Sequence, residues 1–237
     1  MLKHIMIPLL LSATLVACAE DTLSFVCINE DASFDIEEVS SLEDTMGLSG
    51  GHDGVVINYD DSALPPGGSW RVGSVDVLLM IPASQFDYYP TNIRLGIEIF
   101  DGDSPATTRP WYVEQTVDTS ALEWTTVNLS NPDRASERTQ LQSWWRFDFS
   151  EAIPETGMQS TTFVVSAAWT ESSLPTIGYS NYNRPCDKNW TKYDDLTGWV
   201  LNSERGNLFG ATNPNSCNWP MLRVNVEERH EADSCAR

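Results

Sequence analysis

The sequence predicts an all-β protein: a two-sheet antiparallel β-sandwich, jelly-roll-like, with one or two short helices. Three observations carry that prediction. Apolar residues recur at alternate positions in run after run, the signature of strands with one buried face. Turns rich in Pro, Gly, Asn and Asp separate the runs. Helical spacing appears only twice, and briefly. The chain has 237 residues, of which 41% are hydrophobic and 10% aromatic. That is enough apolar material for a core, so the strong acidity does not imply disorder.

The elements follow in chain order. Residues 55–59 read as a short strand. Val75, Val77, Leu79 and Ile81 form an apolar face, while Trp70 and Val72 lie in the opposite phase. A phase change needs an extra residue, so Gly73 marks a bulge. Ile93, Leu95, Ile97 and Ile99 alternate with Arg94, Gly96 and Glu98. Residues 111–117 and 122–129 are weaker candidates. Trp145, Phe147 and Phe149 alternate with Trp144, Arg146 and Asp148, and Phe163, Val165, Ala167 and Trp169 form the next face. Residues 176–180 and 199–201 read as short strands, and Leu222, Val224 and Val226 as the last one. Ile36, Val39, Leu42 and Met46 sit at helical spacing, and residues 134–142 read as a second short helical stretch. No repeat, low-complexity stretch or linker divides the chain.

The first residues have a different character. A charged start is followed by an apolar stretch of about 12 residues, too short for a bilayer that needs roughly 20. The junction Leu15-Val16-Ala17-Cys18 resembles the lipobox of bacterial lipoproteins. The resemblance implies that residues 1–17 are a signal peptide, that Cys18 carries lipid, and that the membrane is a partner through it. Ala19 follows the cysteine, so the family's sorting pattern implies the outer membrane. Residues 18–26 then read as a short tether and 27–237 as one domain. Cys27, Cys186, Cys217 and Cys235 remain, an even number in an exported chain, which points to two disulfides. Cys186–Cys217 would close a polar loop, and Cys27–Cys235 would tie the domain's ends together.

Charge excludes several functions. The chain carries 34 acidic and 14 basic residues, a formal net charge of -20. A phosphate backbone would be repelled, and no basic run offsets this, so nucleic acid is not a partner. Gly47-Leu48-Ser49-Gly50-Gly51 matches the nucleophile-elbow pattern. That motif works on a strand-to-helix turn, and here a strand follows it, so no catalytic residue is assigned. Asp101 and Asp103 lie in an acidic turn with oxygen ligands suited to a structural calcium ion, though without the remaining ligands of an EF-hand. Zinc and redox readings lack C-x-x-C spacing.

Residues 179–219 read as a long loop region rich in rings, amides and carboxylates, broken by one short strand. Aromatic faces stack on pyranose rings, and Asn, Asp and Arg bond hydroxyls. Tyr182, Asn189, Trp190 and Tyr193 are the candidate ligand residues, with Trp144 as an outward ring on another strand. The alternative is a stapled capping loop whose rings pack inward. The order of Trp70-Arg71-Val72-Gly73-Ser74-Val75, Leu95-Gly96-Ile97-Glu98-Ile99-Phe100 and Trp219-Pro220-Met221-Leu222-Arg223-Val224 resembles secreted jelly-roll modules of bacterial surface proteins, similar to carbohydrate-binding and lectin-like sandwiches. The resemblance implies non-catalytic binding of a glycan or surface polymer. A structural or adhesion module contacting another envelope protein is the alternative, and a secreted hydrolase the third reading.

Overall fold

The computed structural model describes residues 23–28, 39–40, 51–59, 61–63, 68–88, 92–105, 109–129, 138–154, 157–169, 177–180, 186–193, 198–204 and 219–229. The described strands are β1 (Leu23–Ile28), β2 (Val39–Ser40), β3 (Gly51–Asn58), β4 (Ser69–Pro82), β5 (Asn92–Asp101), β6 (Trp111–Asp118), β7 (Thr125–Leu129), β8 (Arg138–Asp148), β9 (Thr162–Trp169), β10 (Tyr179–Ser180), β11 (Asn189–Tyr193), β12 (Val200–Leu201) and β13 (Leu222–Arg229). They form a five-stranded sheet, β1-β13-β4-β8-β7, and a six-stranded sheet, β12-β11-β3-β9-β5-β6, with β10 paired to β2 apart from them. Every neighbouring pair is antiparallel. The fold is therefore the two-sheet antiparallel sandwich that alternation predicts.

The core lies between the sheets. Val72, Val75, Val77 and Leu79 of β4, Phe147 of β8 and Val224 of β13 face Val55 and Ile57 of β3, Leu95 and Ile97 of β5, and Phe163 and Val165 of β9, all in one buried cluster. Trp70 closes one end, its ring 4.3 Å from Tyr59 and 5.6 Å from Phe163 by centroids. Burying each large apolar side chain contributes about 1.5–3 kcal/mol before entropy is counted. The bulge falls where the phase change predicts it. Val226 pairs with Val72 and Asn225 with Ser74, leaving Gly73 as the extra residue. A Cβ there would come within 2.6 Å of Glu227 Cγ, so glycine admits the Glu227 side chain.

Polar groups secure the strand ends. Asp101 accepts from the backbone amides of Gln159 and Ser160. Asp118 accepts from Ser120 N and Oγ, and Asp148 from Ser150 N and Oγ. These bonds hold both aspartates below their ordinary pKa, the hydroxyl bond first and the backbone bond second.

Four expectations change. No α-helix occurs among the described residues, only short 3-10 turns. The second predicted helix overlaps β8, which begins at Arg138 and pairs with β4 and β7. Most of the first lies outside the described residues, and Val39, assigned to it, sits in β2. β1 includes residues 23–26, which the tether reading separated from the domain. Finally, 179–219 is not a loop with one strand in it: β11 runs through it, between β3 and β12. Cys18, Tyr182, Cys217, Cys235 and the Gly47–Gly50 stretch lie outside the described residues. Cys27 lies in β1, opposite Asn225. Cys186 is 2% exposed and disulfide-bonded.

Candidate functional site

The two sheets present very different outer faces. On the five-stranded sheet, Leu78 and Met80 are fully buried although they point away from the core, with Gly178 packed against both. Beside them, Arg71 donates to Glu227 at 2.7 Å, and Arg146 grips Asp76 with two bonds of 2.6 and 2.9 Å. Trp144 is on this face, with the Arg223 guanidinium 3.9 Å from its ring centroid. This face is largely covered, and Gln140 and Gln142 are buried on it with amide oxygens that find no partner among the described residues.

The outer face of the six-stranded sheet is covered at its centre, where Val56, Phe100, Val164, Ser166 and Ala168 are buried, and opens toward β6, where Tyr112 and Glu114 are exposed. Strand register lines up a transverse row across it: Leu201, Trp190, Gly54, Ser166, Glu98 and Tyr112, from β12 to β6. The next row is Lys192, His52, Ala168, Gly96 and Glu114. Gly54 and Ser166 lie between Trp190 and Tyr112 in the first row, and Ala168 and Gly96 lie between His52 and Glu114 in the second. Four strand spacings of ~4.8 Å separate β11 from β6, a span of about 19 Å.

Each ring is held in place. Trp190 donates its indole N–H to the Asp103 carbonyl at 3.1 Å. Trp199 stands edge-on to His52 and to Phe100, at 5.6 and 5.4 Å between centroids. Phe100, Val56 and Val164 form a small buried cluster under Trp190 and Trp199. Tyr112 is 48% exposed, the only large hydrophobic so exposed among the described residues. Its ring lies over Gly96, where a Cβ would stand 2.6 Å from the phenolic oxygen. An aromatic laid across a glycine recovers packing that the glycine lacks.

Both carboxylates of these rows are engaged. His52 Nδ1 donates to Glu98 Oε2 at 2.7 Å, bridging over β9. Glu114 accepts from Arg94 and from the Tyr112 hydroxyl, both at 2.6 Å. Burial, and then the bond to Glu114, push the Tyr112 phenol up to about 12. The same contacts, Tyr112 first and Arg94 second, hold the Glu114 carboxyl below its usual range and raise Arg94.

Of the residues picked from sequence, Trp190 stands on this face. Asn189 does not: strand alternation turns it inward, 1% exposed. Its amide nitrogen donates to Gly54 O at 3.0 Å, and its amide oxygen accepts from Asn202 Nδ2. Asn202 Oδ1 in turn accepts from Thr191 Oγ1 at 3.1 Å. This amide chain ties β3, β11 and the β12 turn together, so Asn189 seats Trp190 and does not meet a ligand. Tyr193 ends the same strand, opposite Gly51 of β3. Trp144 belongs to the other sheet and does not join Trp190. Asp101 spends its carboxylate on backbone amides, and Asp103 contributes a carbonyl to Trp190. No group of three or more His, Cys, Asp or Glu disposed to hold a metal occurs among the described residues. His52, Glu98, Tyr112, Glu114 and Trp199 were not picked from sequence. The opposite phase of Tyr112 and Glu114 to Val113 and Val117 was the available signal.

The chain matches no protein-family model, no curated protein and no solved structure.

Proposed function

We propose that this chain is a lipid-anchored envelope protein whose β-sandwich binds a glycan or related surface polymer without catalysis. The observation that carries the reading is the row from Trp190 to Tyr112 across the outer face of the six-stranded sheet. Rings at both sides offer stacking surfaces, and the paired Glu98, His52, Arg94 and Glu114 offer hydrogen bonds to hydroxyls. Between them the His52–Glu98 pair lies over the small residues of β9, so a polymer would rest on that pair and the flanking rings. All of these groups sit on strands and are held by bonds within the protein, so little order is lost on binding.

Lipidation at Cys18 supplies the anchor in this reading. β1 begins at Leu23, so five residue steps of ~3.3 Å allow a tether of only about 17 Å. That strand edges the five-stranded sheet, and the binding face is on the other sheet. Affinity electrophoresis through immobilised polysaccharides tests the binding. The wild type should be retarded by at least one of them, and Trp190→Ala should be retarded less while still melting in one cooperative transition. Retardation of neither protein by any polysaccharide contradicts the reading. Cys18→Ala should release the protein from the membrane fraction.

One observation favours adhesion as the second reading. Tyr112 is exposed on β6, an edge strand of the six-stranded sheet. Edge strands accept a partner's strand readily. Cross-linking from intact cells through a photoreactive residue at position 112 would recover a protein partner in that case.

A further inference from the structure

We infer, resting on the binding reading above, that the ligand is an uncharged polysaccharide strand lying across the strands of the six-stranded sheet. The argument is electrostatic. The chain as a whole carries 34 acidic residues against 14 basic ones. The two rows of the outer face, with Arg94 beside them, depart from that excess. Glu98 and Glu114 are there, and so are Arg94 and Lys192. Both carboxylates accept bonds from their neighbours: Glu98 from His52, and Glu114 from Arg94 and Tyr112. Asp118, farther along β6, folds its carboxylate onto Ser120.

An anionic polymer would meet the repulsion of a chain at -20 and find no cluster of cations among the described residues of this face. A cationic polymer would find the carboxylates of this face already engaged, and displacing Arg94 from Glu114 would leave the guanidinium unpaired. An uncharged chain meets neither obstacle. Its hydroxyls accept from Arg94 and donate to carboxylate lone pairs that the existing bonds leave open. The row of rings and small residues runs perpendicular to the strands, so the polymer lies across them and touches Trp190 and Tyr112 together. A single sugar cannot reach both over about 19 Å.

The test is a titration of the mature protein against three classes of probe at low and high salt. An uncharged β-glucan, mannan and xylan represent the first class, alginate and polygalacturonate the second, and chitosan oligomers the third. We expect binding to one or more uncharged probes, with affinity that salt leaves unchanged. Oligomers should bind progressively tighter with length, and the corresponding monosaccharide should not compete. Trp190→Ala and Tyr112→Ala should each weaken binding about three- to tenfold. Preference for alginate, polygalacturonate or chitosan, lost at high salt, overturns the uncharged-ligand inference and leaves glycan binding standing. Competition by a monosaccharide at the oligomer's affinity overturns the extended-chain geometry. Binding of none of the probes overturns the inference together with the reading it rests on.

Discussion

Replacing Gly96 with alanine should move one ring of the binding face while sparing the fold. The new Cβ would stand 2.6 Å from the Tyr112 hydroxyl oxygen and 2.8 Å from Cζ. Ordinary contacts lie at about 3.5–4.0 Å, so the ring must withdraw by roughly 1 Å or more. It can do so by giving up the hydroxyl's bond to Glu114, because Tyr112 is half exposed. Alanine in a strand interior gains about 0.5–1 kcal/mol over glycine. The loss of the Tyr112–Glu114 hydrogen bond costs about 1 kcal/mol. The terms nearly cancel, and the melting temperature should move by no more than about 4 °C.

The phenol reports the displacement directly. In the wild type it titrates near 12, raised by burial and by Glu114. A raised acid favours the fold in its protonated form, so this contribution is whole below the ordinary tyrosine value of about 10 and fades towards 12. In Gly96→Ala the phenol should ionise near 10, and the fading should disappear from the alkaline stability profile. The assay is an ultraviolet or NMR titration of Tyr112, with Tyr112→Phe as the blank. A phenol still ionising near 12 refutes the placement of the ring over Gly96. A loss of stability above about 3 kcal/mol refutes the claim that the ring can yield.

Other consequences follow from the same geometry. Arg71 and Glu227 form a pair only 10% and 4% exposed, and Arg71 also donates to Ser150 O and Ile153 O. Arg71→Met should therefore cost about 3–5 kcal/mol in urea unfolding, and adding Glu227→Leu should recover much of it. Gly157 sits at φ +77°, and a Cβ added there would run into the Trp70 carbonyl, so Gly157→Ala should cost about 2 kcal/mol or more in the same assay. Asp118 and Asp148 have depressed pKa values, so their contribution is present above the ordinary aspartate value of about 3.9 and is lost as pH falls below it. The double variant Asp118→Asn, Asp148→Asn should flatten the stability profile in that acid range. Asn189→Ala should leave Trp190 in the chain but unseat it, weakening glycan binding several-fold through the lost bonds to Gly54 and Asn202.

The core strands were legible because burial on one face forces alternation. β4, β5, β8, β9 and β13 all carry it, and even the Gly73 bulge shows as a slip of phase. β11 lacked that signature for a physical reason. Its inward positions, Asn189 and Thr191, are polar and satisfied by Gly54 and Asn202, so no apolar period appears. The strand was read as loop, and Asn189 as a ligand residue. The predicted helix at 134–142 failed because neighbours in β4 and β7 override a weak local pattern. The binding face itself was only partly legible. Trp190 stood out by composition, but its companions come from β3, β5 and β6. His52 and Glu98 meet only because β9 runs between their strands. Register across distant strands places them, and alternation within one strand carries no trace of it.

Backbone amide exchange in the presence of a bound polysaccharide tests the central claim most directly. Saturating ligand should slow exchange in residues 52–56, 94–98, 112–116, 164–168 and 190–192, in five of the strands that carry the two rows. Exchange in β4, β8 and β13 should stay as it is in the free protein. Protection confined to the five-stranded sheet, with the six-stranded sheet unchanged, would contradict the assignment of the binding face.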